Sequence, residues 1–275
     1  MTFTHPSTTW PSGSVARPPR VSPVSGDEEY LRLASVDNFR DVAGPGYATS
    51  DGARMRTGVF YRSNDLRLTE DDHGLLSGLG LTAVIDLRSV VERSLHPDPE
   101  LPGAEALHFD ASGVPMERLS DLRTREEAVT LMDDVYRTFV TEPHSREAFG
   151  GVLRQLSTGG PQLFHCTAGK DRTGWVAALL LDLAGVDDAT IEADYLQTNV
   201  TTAASRARTE AEIAHHLGAD RVPVYEPTLV VRAEYLTTAW DTVDREYGDR
   251  ASYLRDGLGL DDTVLARLRE LLRAE

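Results

Sequence analysis

The run GGPQLFHCTAGKDRTGWVAALLLDLAG, from Gly159 to Gly185, constrains the fold more than any other stretch. Two glycines and a proline make a turn, and QLFH reads as a short buried strand. The apolar run from Trp175 to Ala184, broken only by Asp182, reads as a helix that closes at Gly185 and is buried on most sides. A strand, a tight loop and a buried helix in that order belong to an α/β sheet flanked by helices. The chain's single cysteine, Cys166, stands where the strand ends.

The loop between strand and helix has chemistry of its own. Consecutive backbone N–H groups at the carboxyl end of a strand can curl around a tetrahedral anion, and the helix N-terminus adds partial positive charge. Thr167, Ala168 and Gly169 are small enough for a tight curl, and Gly169 can adopt φ > 0 at little cost. Arg172 offers a planar fork for two anionic oxygens, which a lysine cannot imitate. A thiol set beside cations at a helix N-terminus ionises more readily than a free one, and the thiolate is its nucleophilic form. An anion cradle with a nucleophilic sulfur at its floor points to attack on phosphorus.

The remaining sequence supports one globular unit. Residues 1 to 28 are rich in Pro, Ser and Thr and read as a flexible arm, leaving 29 to 275 as a single domain. Strands are expected at Gly58–Ser63, Leu81–Ser89 and Ala106–Phe109. Helices are expected after Thr69, over 126–140 and 145–157, and through an all-helical C-terminal third at 189–198, 203–216, 228–247 and 262–273. A net charge of −16 opposes non-specific binding to nucleic acid and stable association with anionic membranes, so any anionic ligand needs a local positive site. No run is long and apolar enough for a Sec signal peptide or a membrane span, and one cysteine allows no internal disulfide; both suit the cytoplasm.

The spacing Cys166, five residues, Arg172, with His165 before and Thr173 after, resembles the signature of the protein tyrosine phosphatase superfamily. NFRDVAG (Asn38–Gly44), YRSNDL (Tyr61–Leu66), VIDLRS (Val84–Ser89), ADYLQTN (Ala193–Asn199) and VRAEYL (Val231–Leu236) extend the likeness to the bacterial PtpB-like phosphatases. It spans about Tyr30 to Leu272. The resemblance implies a dual-specificity-phosphatase-like fold, a central and mainly parallel sheet between helices, with part of the helical third, between Thr198 and Trp240, forming a lid. It implies phosphomonoester hydrolysis through a phosphocysteine, without cofactor or metal. Members of that family act on phosphotyrosine, and a mycobacterial one also on phosphoserine, phosphothreonine and phosphoinositides.

In that scheme Cys166 is the nucleophile and Arg172 the phosphoryl clamp, with Thr167, Ala168, Gly169 and Lys170 lining the phosphate loop. Thr173 either donates to the sulfur or caps the helix. His165, Asp86 and Arg62 support the loop. The proton for the leaving group falls to Asp171, with Asp110 after the strand ALHF as the alternative. Lys170 either grips a second phosphate at the rim or only raises the local potential. His215 and His216, adjacent on a helix, point about 100° apart and make no metal pair. Thr167, Trp175 and a shortened segment after Phe109 depart from the mycobacterial pattern near the expected rim. Substrates remain open between phosphorylated protein and a small metabolite such as a nucleotide or sugar monophosphate. A silent phosphoprotein-binding module and a rhodanese-type sulfurtransferase are the competitors from other classes.

Overall fold

The computed structural model describes residues 31–112 and 117–274; the arm expected at 1–28 lies outside the described residues. Five strands, β1 (Arg40–Asp41), β2 (Phe60–Ser63), β3 (Ala83–Asp86), β4 (Glu105–His108) and β5 (Gln162–His165), form one sheet in the order β1-β2-β5-β3-β4. Only β1 is antiparallel to its neighbour. The cysteine strand β5 therefore lies in the middle, flanked by β2 and β3. Its last residue, His165, is level with Ser63 on one side and Asp86 on the other. That register brings Arg62 and Asp86 beside the loop that leaves β5.

Side chains alternate across these strands with the two-residue period of the pleat. Phe60, Ile85 and Phe164 face the larger core, while Val84 and Leu163 face a smaller one with Leu33, Val36, Phe39, Leu66 and Leu76. Burial on both faces explains why β3 and β5 read as continuous apolar runs rather than alternating ones. The smaller core is covered by α1 (Glu70–Ser77), whose N-cap is Thr69: its side chain accepts from the Asp72 amide.

On the larger face lie α4 (Arg125–Thr141), α5 (Pro143–Leu156) and α6 (Asp171–Ala184), joined by α7 (Asp188–Thr201), α10 (Ala233–Tyr247) and α12 (Asp262–Leu272). The α6 helix is buried along nearly its whole length and ends at Gly185 with φ +89. Its one mid-helix charge, Asp182, is answered by Arg250 at 2.6 Å, whose guanidinium also stacks on Trp240. Trp175 is fully buried against Trp240 and Tyr253, so it is a core residue and not part of a rim. A bulky ring at this position fills the space between α6 and α10.

Several elements, the short strand β1 among them, depart from the sequence expectation. A short helix α2 (Val90–Leu95) follows β3, announced by a capping box in which Ser89 and Glu92 cap each other's backbone N–H groups. A single turn α3 (Glu117–Ser120) precedes α4. The helix expected over 228–247 is two, α9 (Val222–Leu229) and α10, separated by extended backbone at Val230 and Arg232. The cause is a clasp: Asn199 Nδ2 donates to the Val231 carbonyl at 2.8 Å, and the Val231 amide donates to Asn199 Oδ1 at 2.9 Å. These bonds take the backbone groups that a continuous helix would need. The segment where a lid is expected holds α8 (Ala203–Leu217), which buries no side chain fully, and α9, which packs Val224 and Tyr225 against Leu122, Ala128 and Leu131. A three-residue turn α11 (Arg250–Ser252) leads to a π turn at Tyr253–Gly257 before α12. No described helix is long and apolar enough to cross a membrane.

Gly150 marks a close helix–backbone approach: a Cβ there would lie 2.3 Å from the Leu258 carbonyl oxygen. Gly150→Ala should therefore cost about 1–3 kcal/mol through overpacking, read as a lower thermal midpoint with activity retained per folded molecule.

Candidate active site

The loop from Cys166 to Arg172 is shaped by what holds its carbonyls. The Asp65 amide takes the Thr167 carbonyl at 3.1 Å. Asn38 Nδ2 and Arg62 Nη2 take the Gly169 carbonyl at 2.7 and 3.0 Å. A planar trans peptide sets its N–H opposite its C=O. Holding these two carbonyls outward therefore turns the Ala168 and Lys170 amides inward, which builds the nest. Gly169 has φ +65, and a Cβ there would lie 2.5 Å from the Ser63 carbonyl oxygen, so both conformation and space demand glycine.

Cys166 is buried at the floor of this loop. Burial works against the charge of Arg172, but its neighbours Cys166, Glu92 and Asp171 more than reverse this and hold the guanidinium above its ordinary range. Arg62 is fully buried; desolvation and the neighbouring Arg40 pull it below its ordinary range against the opposing Asp194 carboxylate at 3.1 Å.

Glu92 is a site residue that the sequence reading missed. Its carboxylate receives Arg172 Nη1 and Nη2, each at 2.8 Å, and the Thr167 hydroxyl at 2.5 Å. It thus joins the first loop residue after the cysteine to the arginine that ends the loop. The local signal was present, since Ser89-Val-Val-Glu92 has the capping-box spacing. Burial pushes the Glu92 carboxyl up, but its bonds to Arg172, Thr167 and the Ser89 amide outweigh this and hold it below the usual carboxylate range.

Asp171, the first residue of α6, has both oxygens engaged. The Tyr136 hydroxyl donates to Oδ1 at 2.9 Å and Lys170 Nζ lies 2.6 Å from Oδ2. Lys170 is therefore turned inward and nearly buried, and its ammonium is not at the rim as one sequence reading had it. The pull of the adjacent carboxylate accounts for the difference. Asp110 follows β4: it accepts from the Ser112 amide and faces His144 on α5, in a surface cavity with Phe109, Glu147 and Gly151.

The supporting residues form a chain to the cysteine. Arg88 grips Asp86 through its amide, Nε and Nη2, and reaches Asp98, whose other oxygen meets His165 Nε2 at 3.0 Å. Asp86, Asp98 and His165 offer ligand atoms close together, yet Arg88 and Arg93 already pair with those carboxylates. The Thr173 hydroxyl is buried and makes no hydrogen bond among the described residues, so the bond to sulfur allowed by its position is not formed here. His215 and His216 are exposed neighbours on α8.

Residues 31–274 match the family model described as the tyrosine phosphatase family, and the chain belongs to that family. It is 33% identical over 276 residues to the triple specificity protein phosphatase PtpB of Mycobacterium tuberculosis, covering 87% of this chain and 98% of that one. It is 36% identical over 266 residues to a putative tyrosine-protein phosphatase of Cupriavidus necator, covering 93% and 92% respectively. A tyrosine-protein phosphatase of Nostoc commune is 34% identical over 188 residues, covering 66% of this chain and 60% of that protein. The chain is thus a phosphatase.

Removing the Glu92 charge should loosen Arg172. Hydrogen bonds to charged groups contribute about 1.5–3 kcal/mol each, so Glu92→Gln should lower kcat/KM roughly 10- to 100-fold and weaken inorganic phosphate binding, measured by calorimetry. Because the folded-state pKa of Glu92 is depressed, the stability it contributes is present above the ordinary carboxylate pKa of about 4.3 and fades as pH falls below it. The difference in thermal midpoint between wild type and Glu92→Gln should accordingly shrink between neutral pH and pH about 3.

Proposed function

We propose that this chain hydrolyses phosphomonoesters through a phosphocysteine intermediate, with phosphotyrosine in proteins as its first substrate. The observation that carries this reading is the pairing of inward amides with a buried cysteine and an arginine fixed at the loop's end. Glu92 takes one N–H from each Arg172 Nη, and Nη1 also donates to the Leu87 carbonyl at 3.3 Å. The Nε edge of the fork remains for two phosphoryl oxygens. Cys166 Sγ attacks phosphorus, the P–O bond to the leaving group breaks, and Asp171 supplies that oxygen's proton. Water then attacks the phosphocysteine, Asp171 takes its proton, and the S–P bond breaks to release phosphate. Arg172 and the amides supply the positive charge that the transition state requires, so the scheme needs no metal.

The substrate preference rests on the relatives' described activities. A reducing compartment would suit the unprotected Cys166. The test is phosphate release from a phosphotyrosine peptide, a phosphoserine peptide, a phosphoinositide, nucleoside monophosphates and sugar phosphates, with Cys166→Ser as blank. The expected result is cysteine-dependent release with the highest kcat/KM on the phosphotyrosine peptide. A higher value on one metabolite would reassign the substrate and keep the chemistry. Equal release by Cys166→Ser would remove the phosphocysteine.

A further inference from the structure

Two buried tyrosines stand behind Asp171, and nothing in the reaction scheme above uses them. Tyr136 of α4 and Tyr195 of α7 are each no more than 1% exposed. Their hydroxyls are 2.5 Å apart, and that of Tyr136 lies 2.9 Å from Asp171 Oδ1. The rings are locked: Tyr195 is edge-on to Tyr136 at 6.4 Å, and Tyr235 stacks on Tyr136 at 5.7 Å. Tyr195 also packs flush on the first turn of α6, where a Cβ on Gly174 would lie 3.1 Å from its ring.

We propose that Tyr136 and Tyr195 are positioning residues that fix the Asp171 carboxyl and confine its mobile proton to Oδ2; this rests on Asp171 being the general acid. Proton counting supplies the reason. Each phenol has one proton. Among the described residues the Tyr195 hydroxyl has no hydrogen-bond partner except Tyr136. If Tyr195 donates to Tyr136 and Tyr136 donates to Oδ1, every proton in the chain has an acceptor. If instead Oδ1 carried the proton and gave it to Tyr136, three protons would share two hydrogen bonds, and either the Tyr195 or the Tyr136 proton would be buried without a partner. An orphaned buried donor is costly, so the first direction is enforced. Oδ1 is thereby kept as an acceptor, and the catalytic proton belongs on Oδ2. Lys170 Nζ lies 2.6 Å from that oxygen and must move aside when it is protonated.

The experiment is the dependence of kcat on leaving-group basicity, measured with a series of aryl phosphates for wild type, Tyr136→Phe, Tyr195→Phe, Asp171→Asn and the double variant Tyr136→Phe/Asp171→Asn. General acid catalysis makes kcat nearly insensitive to the leaving group, and losing it steepens the slope. Tyr136→Phe should steepen it and slow the poorest leaving group roughly 10-fold. The best leaving group and inorganic phosphate affinity should change less than about 2-fold, which also reports an intact fold. Tyr195→Phe, which keeps the bond to Oδ1 but frees its direction, should act in the same sense and more weakly. In the Asp171→Asn background Tyr136→Phe should add nothing to the slope, because the two act as one unit. A wild-type slope in folded Tyr136→Phe, beside a steep slope in Asp171→Asn, would overturn the tyrosine proposal alone. A flat slope in Asp171→Asn would overturn the acid assignment and the tyrosine proposal with it.

Discussion

The site depends first on two carbonyl groups held the wrong way for a strand and the right way for a nest. Thr167 and Gly169 have their oxygens bound by Asp65, Asn38 and Arg62, all from the segments around β1 and β2. A buried carbonyl without a partner is unfavourable, so the loop has little reason to flip back. The arginine that does this is itself fully buried, and its burial is tolerable only because Asp194 of α7 answers the charge. Arg40 shares that aspartate and also bonds Asn38. One ionic network thus ties the antiparallel edge of the sheet, α7 and the phosphate loop into a single rigid body.

The other flank of the loop is organised by a different device. Asp86 at the end of β3 anchors Arg88, which sets the chain direction into Ser89 and the capping box of α2. That box fixes Glu92 in the first turn, and Glu92 holds Thr167 and Arg172 together. A helix of one and a half turns is marginal by itself; here the ion pair to Arg172 and the cap stabilise each other. Asp98 and His165 continue the same chain to the backbone of the cysteine. Cys166 and Arg172 are therefore held from both neighbouring strands, as expected of a loop leaving a central strand of a parallel sheet.

How much of this was legible follows from the range of each interaction. The strand, loop and helix from Gln162 to Gly185 were readable because period, burial and glycine placement are local. The positions of Cys166 and Arg172 came with them, and Arg62 and Asp86 stand out in motifs at strand ends. The break before α10 was not readable, because Asn199 and Val231 meet only after α7 and α10 have packed. Trp175 was misplaced at a rim because one letter in a loop motif does not say which side of the following helix it occupies. The inward turn of Lys170 needed the Asp171 rotamer, and that depends on Tyr136 more than thirty residues away. Glu92 lay between these cases: its cap was visible in sequence, but its second role required the fold.

The two halves of the proposed chemistry rest on different parts of the molecule. Cys166 and Arg172 are governed by the sheet, through β2 on one side and β3 with α2 on the other. Asp171 begins a helix on that same loop, yet its carboxyl is governed by α4 and α7 through their tyrosines. These helices are packed in turn by α9 and α10, which lie well beyond the last strand in sequence. Hydrogen-bonding direction carries information across that boundary without any movement: a phenol pair with one terminal donor can be satisfied in only one sense. A carboxylate acid has to do two things, stay in place and keep its proton where the leaving group is. A sheet edge can supply the first through packing alone. The second needs a donor of fixed direction on the opposite oxygen, and a buried tyrosine backed by a second tyrosine is a compact way to provide one. On this view the helical half of the fold is part of the catalytic apparatus and not only a cover for the core.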